Sequence, residues 1–195
     1  EGGIAEAARF FAEQGFLAVA PNYCLIPDCS YPQPVRDVEE AINWVHENAG
    51  QYGGDGTNIT VLGSSAGARI VTEIAYNQSY EESIHAVIGI SGDYHSKFAS
   101  DRLKPLLKRV FGVNYLSLTQ PLDMVSSTAP PTQLFHCQED RLIHHNSSKA
   151  LYDRLDELGV RAELTLFDDC AHNLIQQFSR HNGKQLYKLK HQMLA

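Results

Sequence analysis

Residues 58–71 constrain this chain more than any other stretch. Ile59, Thr60, Val61 and Leu62 form an apolar, β-branched run that ends at Gly63-Ser64-Ser65-Ala66-Gly67. Ile70, Val71 and Ile74 then recur with helical spacing. Strand, sharp turn and helix in that order are the context in which Gly-x-Ser-x-Gly becomes a nucleophile elbow, with the serine at its apex. Such a turn holds Ser65 in a strained conformation while strand and helix nearly touch, so Gly63 and Gly67 are expected to supply the room. The backbone N–H of Ala66 opens the helix and would face a developing oxyanion.

The flanking sequence alternates between strand and helix patterns. Ile4, Ala7, Ala8 and Phe11 fall at i, i+3, i+4 and i+7, an amphipathic helix that Gly15 stops. Phe16 to Ala20 is a short continuous apolar run and predicts a strand covered on both faces. After a Pro-rich loop, Pro34 suits the first turn of a helix whose buried stripe is Val35, Val38, Ile42 and Val45, with Trp44 read as packing. Ala86 to Ile90 reads as a strand ending at Ser91-Gly92-Asp93. Residues 92–131 form a long excursion with one helix pattern (Leu103, Leu106, Leu107, Val110), expected to be a small cap. Thr132 to His136 is a further strand. Leu151, Leu155 and Leu158 mark a helix stopped by Gly159, and Ala162, Leu164 and Leu166 alternate as in an edge strand. A last helix is expected to present Leu186, Leu189 and Met193. The alternation predicts one α/β domain over residues 1–195, with a doubly wound, mostly parallel sheet and helices on both faces.

Composition bounds the partners. A chain of 195 residues can bury a sizeable single core. The net charge of −7 argues against nucleic acid or an anionic membrane surface as the main partner. No apolar run approaches the ~20 residues of a membrane span. The four cysteines (Cys24, Cys29, Cys137, Cys170) make no Cys-x-x-Cys pair, so no metal site is expected. They read as reduced core thiols, although Cys24 and Cys29 are near enough in sequence to bridge. His144 and His145 read as surface residues and His136 as core. No cofactor is called for.

A serine hydroxyl is a poor nucleophile near neutral pH; it needs a base within hydrogen-bond reach, and the base needs a group to fix its tautomer. Open parallel sheets collect such groups at the C-terminal ends of their strands. Ser65, Asp140 and His172 occupy that place in the order nucleophile, acid, base. His172 follows the last predicted strand in a loop of small residues. Asp140 follows the Thr132–His136 strand. Asp93 ends the preceding strand and is the alternative acid, whereas Asp169 is too close in sequence to His172.

With these residues assembled, the chain resembles the carboxylesterase-type branch of the α/β-hydrolase superfamily. Asn22-Tyr23-Cys24-Leu25-Ile26-Pro27, followed by Tyr31-Pro32 and Asp37, is similar to that group's Asn-Tyr-Arg-Leu-x-Pro segment. Tyr52-Gly53-Gly54-Asp55, Gly63-Ser64-Ser65-Ala66-Gly67, His136-Cys137-Gln138-Glu139-Asp140 and Cys170-Ala171-His172 are similar to its Gly-Gly-Asp, elbow, acid and base segments. The resemblance covers about residues 3–176 and points to prenylcysteine methylesterase-like, feruloyl or acetyl esterase-like and arylformamidase-like enzymes. It implies hydrolysis of a small-molecule carboxylic ester through an acyl-serine intermediate. An arylformamidase and a non-catalytic hydrolase-like binding module are the alternatives.

Cys24 stands where the family has Arg, and Cys137 where it has Gly. The family's His-Gly-Gly-Gly segment, a source of further oxyanion donors, has no counterpart, and Glu1-Gly2-Gly3 lies too close to the next strand to be one. The family's first strands have no counterpart either. The chain is therefore expected to be part of a longer hydrolase, weakly active by itself.

Overall fold

The computed structural model describes residues 3–25, 27–77, 84–112, 114–118 and 120–179. The helix expected at Leu186, Leu189 and Met193 lies outside them. In chain order the elements are α1 (Gly3–Glu13), α2 (Gln33–Asn48), β1 (Ile59–Ser64), α3 (Ala66–Ala75), β2 (Ile84–Ile90), α4 (Lys104–Phe111), α5 (Pro121–Met124), β3 (Thr132–Cys137), α6 (Asn146–Glu157) and β4 (Ala162–Phe167). A 3-10 turn (Ala49–Tyr52) follows α2, and another (Leu174–Ser179) follows the loop after β4. The four strands form one sheet in the order β1-β2-β3-β4, each pair parallel. Parallel neighbours need crossovers; those through α3 and α6 cover one face of the sheet, and α1 with the Leu174–Ser179 turn covers the other.

Side chains alternate across the pleat, which gives the sheet two apolar faces. On one face Val61, Val87 and Leu134 pack with Val38 and Ile42 of α2, Ala68 and Ile74 of α3, and Leu151 and Leu155 of α6. On the other, Ile88, Ile90, Phe135, Cys137 and Phe167 pack with Ala7 of α1 and with Leu174. Of the stripe read for α2, Val35, Val38 and Ile42 are buried and Val45 is half-buried; α6 ends just before Gly159, whose φ of 72° suits a residue without Cβ. α3 is buried nearly all round, which seats the turn before it.

The ladder continues one step past three of the strands. Ser65 N–H donates to Ile90 O at 2.8 Å, Ser91 N–H to Phe135 O at 2.8 Å and Gln138 N–H to Phe167 O at 2.9 Å. The C-terminal ends of all four strands are thereby brought to one edge.

Two expectations need correction. Phe16 to Ala20 belongs to no strand, and Phe16, Leu17 and Val19 are exposed. An apolar run becomes a strand only when a neighbour takes its backbone N–H and C=O groups, and no strand among the described residues pairs with it. The cysteines are not reduced thiols: Cys24 bridges Cys29 and Cys137 bridges Cys170, with Cα–Cα distances of 6.1 and 5.6 Å. The second pairing joins Cys137, the last residue of β3, to Cys170 in the loop just past β4, 33 residues on. Trp44 is half exposed and packs against the exposed Tyr52 ring, 5.8 Å away between centroids.

The 92–131 excursion contains α4, α5 and two short 3-10 turns. It carries a small apolar cluster of its own, in which Ala99, Leu107 and Tyr115 are buried beside Leu103 and Phe111.

Candidate active site

Ser65 sits between β1 and α3 with φ 55° and ψ −118°, a conformation that a residue with a side chain rarely adopts. The surrounding packing enforces it. A Cβ placed on Gly63 would collide with the carbonyl carbon and oxygen of Gly67. A Cβ on Gly67 would meet only the Tyr23 hydroxyl, 3.9 Å away. Gly63 supplies the close approach and Gly67 does not; what matters at Gly67 is its backbone, against which strand β1 lies. As the first residue of α3, Ala66 has no intrahelical acceptor for its N–H.

His172, in the loop after β4, reaches back across the sheet edge. Its Nε2 lies 2.7 Å from Ser65 Oγ and its Nδ1 lies 2.7 Å from Asp140 Oδ2. The imidazole is only 15% exposed and the Asp140 side chain is fully buried. Burial alone would raise the Asp140 pKa. Hydrogen bonds from His136, His172 and the Leu142 N–H outweigh that and hold the carboxyl well below the usual carboxylate range. Leu142 N–H donates to Oδ1 at 2.8 Å and Ile143 N–H donates at 3.1 Å. An ionised carboxylate only accepts, so Nδ1 of His172 carries the proton and Nε2 is left to accept from the serine hydroxyl.

Asp93 is buried too but lies in a separate network. It accepts from Ser96 Oγ–H at 2.8 Å and lies 3.7 Å from Arg69 Nη1. Burial raises its pKa despite the Arg69 charge and the Ser96 bond. Arg69, on α3, donates to Gln120 Oε1 at 2.8 Å and lies over the Phe111 ring at 4.6 Å. Asp169 is exposed at the loop surface. Of these three aspartates, Asp140 is the one that meets His172.

The sequence reading did not single out the roles of three groups. His136 was read as core, and it is fully buried; its position four residues before Asp140 was a visible signal, because a turn after β3 folds Asp140 back onto it. Arg69, one helical turn past Ser65, left no signal except its place, with Glu73 one turn on, in a mostly apolar helix. The Cys137–Cys170 bridge links a residue three before Asp140 to one two before His172, a symmetry that spacing alone did not reveal. His144 and His145 stack at 4.3 Å between centroids at the surface. Among the described residues no group of three or more His, Cys, Asp or Glu side chains could hold a metal ion.

The BD-FAE family model matches residues 2–155, which include the elbow and the acid turn. This chain is a member of the BD-FAE family. The BD-FAE chain is 28% identical over 168 residues to the esterase LipQ of Mycobacterium tuberculosis, covering 76% of this chain and 40% of that protein. It is 30% identical over 191 residues to the probable isoprenylcysteine alpha-carbonyl methylesterase ICMEL1 of Oryza sativa subsp. japonica, covering 84% of this chain and 45% of that one. It thus spans less than half the length of these curated relatives. Among solved structures it superposes on an acetyl ester-xyloside bifunctional hydrolase from Caldicellulosiruptor lactoaceticus with a TM-score of 0.78, at 22% identity over 100% of this chain and 79% of that one. The carboxylesterase Cest-2923 from Lactobacillus plantarum gives 0.79 at 18% identity, over 96% of this chain and 76% of that one. Likeness at these identities shows a shared fold, the α/β-hydrolase arrangement. No helix among the described residues is long and apolar enough to cross a membrane.

Proposed function

We propose that this BD-FAE chain carries the catalytic centre of a serine carboxylesterase, with Ser65 as nucleophile, His172 as base and Asp140 as the group that orients the base. The observation that supports it is the continuous path Ser65 Oγ to His172 Nε2, then His172 Nδ1 to Asp140 Oδ2, both steps 2.7 Å. In the first half-reaction Ser65 Oγ attacks the ester carbonyl carbon as its proton passes to Nε2. The resulting imidazolium is stabilised by the adjacent Asp140 carboxylate. The Ala66 N–H donates to the oxyanion of the tetrahedral intermediate. The carbon–oxygen bond to the alcohol then breaks, and Nε2–H returns the proton to the leaving oxygen. Water repeats the sequence on the acyl-serine and releases the acid. Residues 92–131 act as a cap over the elbow; their own apolar cluster and the Arg69–Gln120 bond from α3 support that reading.

The test is labelling by a fluorophosphonate probe together with turnover of p-nitrophenyl acetate, each compared with Ser65→Ala. Labelling and hydrolysis that vanish in Ser65→Ala are expected. Labelling that persists in that variant, or a wild-type protein that neither labels nor turns over ester, would sink the reading.

A further inference from the structure

His136 stands on β3 with no exposed surface, and both of its ring nitrogens are engaged. Nε2 lies 3.0 Å from Ile143 O and 3.2 Å from Asp140 Oδ2. Neither of these oxygens can donate, so Nε2 bears the hydrogen and shares it between them. Nδ1 lies 2.7 Å from Oγ of Ser148, which is buried in the first turn of α6. With its hydrogen on Nε2, the ring accepts the Ser148 hydroxyl hydrogen at Nδ1, and this holds that tautomer. The oxygen that His136 meets is the one that also accepts from His172 Nδ1 at 2.7 Å. A single carboxylate oxygen is thus held between two imidazoles, one buried in the sheet and one facing the nucleophile.

We infer that His136, locked by Ser148, is a positioning residue of the site: its Nε2–H fixes the rotation of the Asp140 carboxylate and takes up part of the charge that His172 would otherwise feel alone. This rests on the esterase reading for its meaning in turnover, but not for its effect on His172. Without the His136 donor, Oδ2 carries more charge toward His172, and the imidazolium form of His172 becomes easier to make. Asp140 also becomes free to rotate against the two backbone N–H groups that remain. The other ionisable groups around the cluster are His144, which feels the charges of His145, His136 and Asp140, and Asp168 and Asp169 on the loop before His172. Lys149 on α6 points away and pairs with Asp153.

The test compares His136→Phe, which keeps the ring volume and removes both nitrogens, with His136→Gln, which retains an N–H near the Nε2 position. Ser148→Ala is the third variant. The imidazole of His172 is followed by NMR titration in each folded protein, its signal assigned with His172→Gln, and kcat and KM are measured beside it. His136→Phe is expected to move the His172 titration upward by half a pH unit or more and to lower kcat at least tenfold, with KM within twofold. His136→Gln should recover most of both effects. Ser148→Ala should show a smaller shift in the same direction. An unchanged His172 titration in folded His136→Phe, or in Ser148→Ala if His136→Phe does not fold, overturns the inference and leaves His136 as packing. Loss of kcat with unchanged titration does the same. The NMR result stands whether or not Ser65→Ala abolishes ester hydrolysis, so failure of the esterase reading is told apart from failure of this one.

Discussion

The turns after β2 and β3 hold two aspartates that look alike and are built differently. Asp93 and Asp140 each follow a central parallel strand, and each is buried. Asp140 receives hydrogen from two imidazoles and two backbone N–H groups, and its carboxyl sits below the ordinary range. Asp93 receives one hydroxyl, faces a guanidinium at 3.7 Å, and has an oxygen (Oδ1) that is buried without a hydrogen-bond partner among the described residues. Its carboxyl sits above the ordinary range, because desolvation is larger than what Arg69 and Ser96 return. Place at a strand end therefore does not decide which carboxyl is held ionised. Donors do, since a carboxylate out of water stays ionised only where hydrogen bonds replace its hydration.

The sharpest way to break this comparison is to neutralise each acid in turn. Asp140→Asn should lower kcat by roughly 10³- to 10⁴-fold on a p-nitrophenyl ester, because the base loses the acceptor that fixes its tautomer. Asp93→Asn should leave kcat within about tenfold, as for a residue that holds structure and touches no reacting atom. Equal losses in kcat would mean that the two turns do the same work.

Next in size is Arg69→Met. Asp93 and Glu73 both lie near this buried guanidinium, at 3.7 and 4.0 Å. Removing it strands buried charge and should cost about 3–5 kcal/mol in urea unfolding at pH 7. The loss should shrink in mildly acid buffer, where carboxyls with raised pKa values take up protons. A loss independent of pH would contradict the charge argument.

Of these two turns, the Asp140 turn has a covalent tie to the loop that carries His172, through Cys137–Cys170. Replacing both cysteines by serine should cost about 3–4 kcal/mol for a loop of this length. It should lower kcat a few-fold through the freed His172 loop. A double variant that loses stability but no kcat would show that the bridge serves the fold and not the site.

The smallest effect separates the two carboxyls by sign. For Asp140 the folded pKa is depressed, so its stabilisation is complete above the unfolded value near ~3.9 and is lost as pH falls through the folded value. For Asp93 the folded pKa is raised. Its ionised form is penalised in the fold at neutral pH, and that penalty lifts as pH falls through the folded value. Unfolding free energies measured from pH 7 downward should therefore show wild type gaining on Asp93→Asn. Against Asp140→Asn, wild type should hold its advantage until about pH 4 and then lose it. Parallel trends in both variants would erase the distinction.

What could be read in advance follows the range of the interactions. The strands β2, β3 and β4, the stripe of α2 and the elbow were legible because alternation, 3.6-residue spacing and a Gly-flanked turn are local patterns. The Phe16 to Ala20 run was misread as a covered strand, since its composition is that of a buried strand while its pairing depends on a neighbour elsewhere. Gly67 was misread as a space-maker because spacing shows which residues flank the turn but not which Cα meets the other's backbone.

By itself, then, the sequence determined the α/β alternation, a strained serine between strand and helix, and the order of candidate nucleophile, acid and base along the chain. Only the tertiary structure decided which carboxylate meets His172, that His136 meets the same oxygen, and that Cys137 pairs with Cys170. The reason is distance along the chain. The bonds from His172 to Asp140 and to Ser65 join residues 32 and 107 apart. Contacts of that span are set by which strands the sheet lays side by side.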